Sequence, residues 1–395
     1  MRAYLDLIRT PGVAPLLAAT TLGRLPYGMN ILALILLLRS EEFGYAEVGI
    51  VTGGSGLALG VAAPVLGRLI DRLGQTRVLA SAAVLCLCAN AGLAAAVLAG
   101  ADLLPVVLLA LVGGATTPPI SPAMRTLWPS LVGRDRLDTA FAFDALQLEV
   151  VFIVGPLLAA AIASGTSPEA AFLTGVTMQA GGALAFAAAP ASRGWRPMPR
   201  TEEGRGGALS VAGMRVLIPA LAIGAVALGV LEIGIAAFAE REASRSDAGW
   251  LFALWGVGSL AGGLWYGARS WSLPADRRFL IVSAVLVAGL APLPLAGSMP
   301  VFALLVVVAG LGLAPSTAAG YSLIGELAPP GSMTEAYAWQ IVAYVGGSAV
   351  GAWLAGALVE AVSVEAALAS APLVAAAGLS VAIIGRRSLA PRQPV

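Results

Sequence analysis

Apolar residues run in long, continuous stretches along this chain, and short clusters of arginine, acidic residues, glycine or proline interrupt them. The hydrocarbon core of a bilayer is about 30 Å thick, so a helix needs about 20 mostly apolar residues to cross it. Stretches of that length recur twelve times, and we predict that each forms a membrane-spanning helix. Numbered 1 to 12, the predicted segments are Gly12–Leu38, Ala46–Ile70, Val78–Ala99, Leu103–Ser130, Asp138–Ala163, Pro168–Pro190, Met214–Phe238, Ala248–Ala268, Phe279–Ala296, Pro300–Leu327, Glu335–Glu360 and Val364–Ile384.

One polar stretch divides the chain almost in half. Residues 191–213 are rich in arginine, glycine and proline and predict a flexible linker. We therefore expect a six-helix bundle at 1–190, the linker, and a second six-helix bundle at 214–395. The halves also repeat each other, and the repeated residues, at an offset of 200, are Gly56 with Gly256, Gly67 with Gly267 and Arg77 with Arg277. The predicted fold class is an all-α membrane protein with twelve transmembrane helices in two pseudo-symmetric six-helix bundles.

The composition supports a membrane protein and removes several other classes. Of the 395 residues, 58% are hydrophobic and 11% are charged, and the mean hydropathy is +0.88. About a quarter of the residues in a soluble domain are charged. A net charge of +1 gives no support for nucleic-acid binding. The chain has no histidine and no lysine, and no cluster of polar catalytic residues. We therefore predict no enzyme activity, no cofactor and no metal site.

The arginines predict the orientation in the membrane. If both termini are cytoplasmic, eighteen of the 23 arginines lie on the cytoplasmic side. Only Arg39, Arg241 and Arg245 then lie outside, while Arg24 and Arg125 fall within segments. Cytoplasmic loops of membrane proteins carry such an excess of basic residues. A composition rich in Ala, Gly, Arg and Pro is typical of a GC-rich bacterium, so we predict a multi-pass protein of a bacterial inner membrane with both termini cytoplasmic.

A short charged stretch between segments 2 and 3 has a recognisable spacing, G-x3-D-R-x-G-x2-R. Its residues are Gly67, Asp71, Arg72, Gly74 and Arg77. The pattern resembles the loop between helices 2 and 3 of the major facilitator superfamily, called motif A, although Thr76 stands where a second basic residue is usual. The resemblance implies a gating loop whose aspartate meets the cytoplasmic start of helix 11 and stabilises the outward-facing state. Segment 11 starts with Ser332, followed three residues later by Glu335, which predicts a capping box.

Segment 5 carries a second motif of the same family. Gly155-Pro156 resembles the core of the antiporter motif G-x3-G-P-x2-G-G, known as motif C, which marks exporters. Val151 replaces the first glycine, and Ala159-Ala160 replaces the last pair. The resemblance implies a bacterial transporter similar to the drug antiporters of this family.

Five ionisable residues lie inside the segments: Arg24, Arg125, Asp144, Glu149 and Glu232. Intramembrane charge is costly and marks a functional candidate. Glu149, Glu232 and Asp144 are the candidates for proton coupling. Arg24 and Arg125 are the charge partners, with Arg24 expected to meet Glu149 and Arg125 to meet Asp144. Glu232 has no predicted partner.

Polar and aromatic residues near the middle of several segments are candidates for lining a central substrate cavity. They are Tyr27, Asn30, Gln147, Trp255, Tyr321, Trp339, Gln340 and Tyr344. Each also has an ordinary interpretation, because aromatic residues in helices commonly serve packing or sit at the membrane interface.

Taken with the family resemblance, these patterns predict a secondary active transporter of small molecules that works by alternating access. The favoured function is proton-coupled export of amphipathic compounds by an antiporter, that is, efflux. The alternative is a proton-coupled importer of a sugar or another polar solute, which a cavity rich in Asn, Gln and paired charges would favour. A remote alternative is a transport-dead membrane sensor, which would need an added soluble domain. The predicted partners are a small-molecule substrate, protons and the lipid bilayer, and the protein is expected to be a monomer.

Overall fold

The structure, a computed structural model, describes residues 2–199, 206–242 and 248–390. In this part of the chain, twelve helices are long and apolar enough to cross a membrane, and they are labelled α1 to α12. In order, they are Val13–Ser40, Glu47–Leu73, Gln75–Leu98, Leu103–Leu131, Leu137–Gly165, Pro168–Ala188, Ala212–Glu242, Ala248–Gly267, Ala275–Leu295, Met299–Leu327, Met333–Ala361 and Val364–Ile384. The twelve predicted segments are confirmed, and no end differs by more than four residues.

The largest differences occur where charged residues extend a helix beyond its apolar run. Helix α9 begins at Ala275, four residues before the predicted start, because Arg278 is buried and ion-paired with Asp138 on α5. Helix α7 continues through Arg241, which pairs with Glu365 in the first turn of α12. A charged residue therefore does not end a helix when another helix supplies its counter-charge.

The turn between α2 and α3 is much shorter than the sequence suggests. The prediction of a loop from Gly67 to Arg77 is wrong, because α2 continues to Leu73 and α3 starts at Gln75. Gly74 alone makes the turn, with φ +93°, and its N–H donates to the Ile70 carbonyl at 2.9 Å. A positive φ of this kind favours glycine.

The capping box predicted at the start of α11 is also wrong. The Ser332 side chain makes no capping hydrogen bond, and its hydroxyl has no hydrogen-bond partner in the described part of the chain. The Ser332 backbone, with φ −136° and ψ 21°, is not in the extended conformation from which an N-cap side chain reaches the first-turn amides.

Two of the spans are broken near their middle. Helix α4 consists of Leu103–Ala115 and Ile120–Leu131, and α10 consists of Met299–Gly310 and Leu313–Leu327. In α4 the break contains Pro118 and Pro119, which lack the N–H that a continuous helix would use. The same helix is broken in each half of the chain, which fits the internal repeat.

The described residues belong to two compact units, and each has its own apolar core. The amino-terminal unit consists of Ile8–Leu131 and Gln147–Pro199. The carboxy-terminal unit consists of Met1–Leu7, Val132–Leu146 and Arg200–Val395, so α5 contributes to both units. The domain boundaries at 1–190, 191–213 and 214–395 stay a prediction, and residues 200–205 of the predicted linker lie outside the described residues.

A short N-terminal helix, Arg2–Arg9, precedes α1. Its Tyr4 belongs to the carboxy-terminal unit, and the Tyr4 hydroxyl donates to the Gly263 carbonyl on α8 at 2.9 Å. Burial raises the pKa of Tyr4 to about 12, so the phenol stays protonated and keeps donating at physiological pH. Leu7, one turn later, is fully buried. The start of the chain is therefore fixed to the carboxy-terminal unit, although α1 lies in the amino-terminal unit.

Candidate functional site

A fully buried arginine forms the centre of a polar cluster in the amino-terminal unit. Arg24 on α1 donates from Nη1 to Gln147 Oε1 on α5 at 2.8 Å. The Gln147 amide in turn donates to the Thr21 hydroxyl and to the Leu17 carbonyl, both on α1. The predicted cavity residue Gln147 thus holds Arg24 in position between α1 and α5. Because an arginine inside a membrane is costly, an amide oxygen at this distance stabilises its charged form.

The charge partners predicted for the two buried arginines stay predictions. Glu149, expected to meet Arg24, is half-buried on α5, and this pair stays a prediction. Arg125 and Asp144 are both almost fully buried, and their pairing likewise stays a prediction. Gln147 was predicted only as a cavity residue, so its contact with Arg24 was missed.

A second polar cluster joins α1, α3 and α6 in the same unit. Asn30 Nδ2 donates to Gln179 Oε1 at 3.3 Å, and the Cys86 sulfur lies 3.9 Å from that same oxygen. Asn90 Nδ2 donates to the Cys86 carbonyl at 2.9 Å. Gly175 makes room for Asn30, since a Cβ on Gly175 would lie 2.0 Å from Asn30 Oδ1. Only Asn30 was predicted, because Gln179 and Asn90 carry no motif that marks them in the sequence.

Tyr27, another predicted cavity residue, lies at the break in α4. Its hydroxyl donates to the Pro118 carbonyl at 3.2 Å, and the same carbonyl accepts from the Ile120 N–H at 2.8 Å. The tyrosine therefore adds a second hydrogen bond to a carbonyl in the break. This contact gives Tyr27 a structural role in addition to any contact with substrate.

The Gly155-Pro156 motif lies where α1 and α5 touch. A Cβ on Gly155 would lie 2.8 Å from the carbonyl carbon of Gly28, and a Cβ on Gly28 would lie 2.5 Å from the Val151 carbonyl oxygen. The two backbones approach so closely that only glycine fits at both positions. Small residues of this kind let membrane helices pack at short distance.

The carboxy-terminal unit contains a small cavity among α7, α9, α10, α11 and α12. Its volume is about 80 Å³, and two of the predicted cavity residues, Gln340 and Tyr344, line it. Ser316 and Thr317 add hydroxyl groups to a lining that is otherwise mostly apolar. A volume of about 30 Å³ per water molecule means that this space holds two or three waters, whereas drug-sized ligands occupy several hundred Å³.

The other aromatic candidates in this unit do not line that cavity. Tyr321 is buried, and its carbonyl accepts a hydrogen bond from the Tyr337 hydroxyl at 3.1 Å. Trp255 packs on the apolar core of the unit. The indole N–H groups of Trp255 and Trp339 are buried and have no hydrogen-bond partner in the described part of the chain. Buried donors without partners are rare, so these two nitrogens are unusual in the described part of the chain, and their place in a substrate cavity stays a prediction.

Glu232 on α7 is half-buried and lies beside Ser348 on α11. The Ser348 hydroxyl is 3.5 Å from Glu232 Oε2, a long hydrogen bond. No arginine is paired with Glu232 among the described residues. The sequence predicted no partner for this carboxyl, and Ser348, which lies 116 residues further along the chain, carries no sequence signal that points to it.

The sequence analysis missed an ion pair in the carboxy-terminal unit. Asp138 at the start of α5 pairs with Arg278 at the start of α9, and Asp138 Oδ1 accepts from the Ser322 hydroxyl at 2.8 Å. Thr139 donates to the Gly267 carbonyl at 2.7 Å, which joins α5 to the end of α8. The sequence placed Asp138 at a helix start and Arg278 among the topological charges, so neither suggested a contact.

The residues of the predicted gating loop occupy the end of α2 and the start of α3. Asp71 is only 4% exposed, whereas Arg72 and Arg77 are exposed. A buried carboxylate and exposed arginines are consistent with separate roles for the two charges, but the gating role of Asp71 stays a prediction.

The described residues thus define a multi-pass α-helical membrane protein with polar clusters inside an apolar body. A family model for the Major Facilitator Superfamily matches residues 16–238, which is more than half of the chain. The chain therefore belongs to the major facilitator superfamily and is a transporter of that family.

A curated relative and two solved structures agree with this assignment. An uncharacterized MFS-type transporter, y4rN, of Sinorhizobium fredii (strain NBRC 101917 / NGR234) is 31% identical over 175 residues. This match covers 43% of the chain and 42% of the relative, so the chain spans less than half the length of the curated relative that it matches.

The two structures are similar over almost their whole lengths. A bacterial homologue of the iron transporter ferroportin in an outward-facing state has a TM-score of 0.75 at 14% identity, covering 95% of this chain and 99% of that chain. The transporter FucP in the outward conformation has a TM-score of 0.74 at 13% identity, with coverage of 95% and 99%. At such low identity, these similarities show the fold alone.

Proposed function

We propose that this transporter is a proton-coupled exporter of small amphipathic molecules that works by alternating access. The observation that carries the proposal is Glu232, a carboxyl inside a membrane span whose described hydrogen-bond partner is the neutral Ser348. A carboxyl with no counter-charge can gain and lose a proton without breaking an ion pair. Such groups in membrane spans commonly form proton pathways.

The lining of the cavity in the carboxy-terminal unit supports the substrate class, although the cavity, at about 80 Å³, must widen during transport before it admits a drug-sized molecule. The lining is mostly apolar, with hydroxyl and amide groups supplied by Tyr344, Thr317 and Gln340. A site of this composition suits a molecule that is apolar over most of its surface and polar at a few points. The close α1–α5 contact at Gly155 also supports export, since the motif that it resembles is typical of antiporters.

We further propose Glu149 and Asp144, which both lie on α5, as additional coupling groups. Arg24 on α1 contacts Gln147, which lies on α5 as Glu149 does. Any change in the α1–α5 contact would therefore alter the electrostatic field at Glu149. Glu149→Gln should abolish proton-driven transport and leave substrate binding intact. Arg24→Ala should reduce both, because it leaves Gln147 and its neighbours without their central donor.

The experiment uses inverted membrane vesicles with an acidic interior. Export then appears as accumulation of ethidium, an amphipathic cation, inside the vesicles. We expect Glu232→Gln to abolish gradient-driven accumulation while ethidium still quenches the protein's tryptophan fluorescence. Glu360→Gln, a change at an exposed carboxyl on the end of α11, serves as the matched control and should transport normally. Accumulation that survives Glu232→Gln, Glu149→Gln and their combination would exclude proton coupling through these groups.

A second function has its own support in the amino-terminal unit. The amide groups of Asn30 and Gln179 are hydrogen-bonded to each other, and that of Gln147 is hydrogen-bonded to Arg24, so two polar clusters inside membrane spans could bind hydroxyl groups. This arrangement favours a proton-coupled importer of a sugar or another polar solute. Proton-driven uptake of radiolabelled xylose into right-side-out vesicles, without ethidium accumulation in inverted ones, would favour import over export.

We also propose that the protein is a monomer of the bacterial inner membrane with both termini cytoplasmic. A cysteine at position 200 should then be inaccessible to an impermeant thiol reagent outside intact cells, and a cysteine at position 244 should react. Both positions lie outside the described residues. The background must lack Cys86 and Cys88, since Cys88 is exposed.

A further inference from the structure

An open groove lies between α2 and α3 in the amino-terminal unit. Both helices pack closely on the first half of α4 and make few contacts with each other, so a gap is left between them. The gap has a volume of about 220 Å³. Its walls come from α2 and α3, and Thr116 at the break in α4 lies at its floor. The groove begins at the Gly74 turn and runs toward the middle of the span.

The walls of the groove are apolar and open to the surroundings. Leu66, Leu69 and Leu73 line the α2 side, at spacings that put them on one face of the helix. Leu85 lines the α3 side, and both Leu73 and Leu85 are 54% exposed. On a membrane-spanning chain, exposed leucines within a span face lipid tails, because contact of their apolar surface with lipid is more favourable than contact with water.

The length of the groove matches one leaflet. Arg77 and Leu85 both line α3 and are eight residues apart, which is about 12 Å along the helix axis. Half of the hydrocarbon core is about 15 Å thick. An acyl chain that starts at the turn therefore reaches the floor at Thr116 near the middle of the membrane.

An arginine lies at the end of this groove that is next to the Gly74 turn. Arg77 is exposed, lines the groove, and has no ion pair or hydrogen bond in the described part of the chain. Arg72 at the end of α2 is also exposed, whereas Asp71, the acid of the same turn, is buried. The surface at the mouth of the groove is therefore positively charged. The arginine excess predicts that this end faces the cytoplasm, where membrane surfaces carry anionic lipids.

We propose that this groove binds one anionic phospholipid. The lipid phosphate contacts the Arg77 guanidinium, and one acyl chain lies between α2 and α3 along the leucines. A guanidinium presents a planar set of donors that matches a phosphate. A lipid with a zwitterionic headgroup would bring its own cation to a surface whose exposed charges are arginines. The site therefore selects lipids with a net negative charge, such as phosphatidylglycerol.

The test is native mass spectrometry of the full-length protein released from nanodiscs of mixed phosphatidylglycerol and phosphatidylcholine. We expect one phosphatidylglycerol to stay bound to the wild-type protein in preference to phosphatidylcholine. Arg77→Gln should lower its retention about fivefold, which is the effect of one basic residue at an anionic membrane surface. Arg277→Gln is the matched control. It changes an exposed arginine at the repeat-related position in the other half that does not line this groove.

A second pair of variants tests the acyl-chain part without changing any charge. Ser81 is exposed and lines the groove, so Ser81→Phe should fill it and reduce retention of the lipid. Val84→Phe, one turn away on the exposed face of the same helix, lies outside the lining and should leave retention unchanged. Thermal unfolding of all four variants confirms that each is folded.

The outcomes separate the possible occupants. Loss of phosphatidylglycerol in Arg77→Gln and Ser81→Phe, but not in the two controls, supports the proposal. Equal retention of phosphatidylcholine and phosphatidylglycerol by the wild type would overturn the headgroup selection. Retention that is unchanged in both Arg77→Gln and Ser81→Phe would place the lipid elsewhere and overturn the site. A dimer held through this face, detected in the same spectra and lost in Ser81→Phe, would replace the lipid with a second copy of the chain.

Discussion

The turn between α2 and α3 and the connection between α8 and α9 stand at equivalent places in the two halves of the chain. Gly67 and Arg77 of the first correspond to Gly267 and Arg277 of the second. In the first, the acid Asp71 is buried and the arginines are exposed. In the second, Trp271 stands at the position that corresponds to Asp71, and Arg278 is buried against Asp138, which α5 supplies. The repeat keeps the glycine and the arginine in the sequence but not the burial and pairing of the charges.

This difference shows that, at equivalent connections in two similar halves of a transporter, an arginine can be buried and ion-paired in one half and exposed in the other. A buried ion pair resists removal of either partner, because the remaining charge is left in a poor environment. An exposed arginine costs little to change and stays available to a partner from outside the chain. The carboxy-terminal connection is therefore held by an internal ion pair, whereas Arg72 and Arg77 of the amino-terminal turn are exposed.

The largest effect is expected at the buried ion pair. Asp138→Ala removes the counter-charge of Arg278, which is only 5% exposed, and removes the shorter of the two hydrogen bonds of the Ser322 hydroxyl. We expect the free energy of unfolding to fall by about 3 kcal/mol. Titration with SDS in detergent micelles, followed by circular dichroism, measures this change.

A charge-matched pair of variants isolates the interaction in that experiment. Asp138→Ala combined with Arg278→Met should lose less stability than the sum of the single changes, because no buried charge is left alone. If the two losses were additive, the pair would contribute nothing to the stability of the fold, and the contrast between the two connections would be lost.

The next largest effect is expected at Gly267, the glycine of the carboxy-terminal connection that corresponds to Gly67. A Cβ on Gly267 would lie 2.5 Å from the Ala142 Cβ and 2.2 Å from the Tyr4 hydroxyl oxygen. Gly267→Ala should therefore push α5 and the N-terminal helix away from α8 and lower the free energy of unfolding by about 2 kcal/mol. Tyr4→Phe combined with Gly267→Ala would recover little of this loss, because the contact with Ala142 remains. Unchanged stability in Gly267→Ala would mean that the α5–α8 contact is loose.

The fold was predictable because a bilayer leaves few choices. Backbone groups must be satisfied inside each crossing segment, so a long apolar run in this chain becomes a helix, and all twelve helices begin and end within four residues of their predicted positions. The prediction failed where a charged residue was interpreted as the end of a helix at the membrane surface. The stretch from Gly67 to Leu73 is helical although it carries both buried and exposed charges, and Arg278 lies inside a helix because Asp138 supplies its counter-charge.

The site was less predictable, since its contacts join residues that lie far apart in the sequence. Gln147 was found as a cavity residue, but its contact with Arg24 spans 123 positions. Ser348 beside Glu232 and Asp138 beside Arg278 carry no local pattern. These positions show no periodicity or motif that indicates which helices face each other. The individual residues could therefore be proposed from the sequence, but their partners could not.

A smaller effect is expected in the amino-terminal turn, where it concerns conformation rather than stability. Asp71→Asn removes a buried negative charge from the end of α2 while keeping the size of the side chain. We expect the resting population to shift toward the inward-open state by about tenfold, which corresponds to about 1.4 kcal/mol. Spin-label distances between the ends of α2 and α11 should lengthen. Distances that stay the same would make Asp71 a structural residue and remove the gating role that the motif implies.

The smallest effect isolates the turn itself. Gly74 has φ +93°, and a Cβ there would meet nothing within 4 Å, so Gly74→Ala tests backbone conformation without any steric clash. An alanine at positive φ should lower the free energy of unfolding by about 1 kcal/mol. Gly49→Ala in the first turns of α2 is the matched control. A Cβ at Gly49 would also meet nothing within 4 Å, but its backbone is helical, so alanine should stabilise the helix by up to about 1 kcal/mol. The two variants therefore change stability in opposite directions although each adds one methyl group, Gly49→Ala inside α2 and Gly74→Ala directly after it. Destabilisation of the same size in both would show that the added methyl group, and not the left-handed turn, causes the loss.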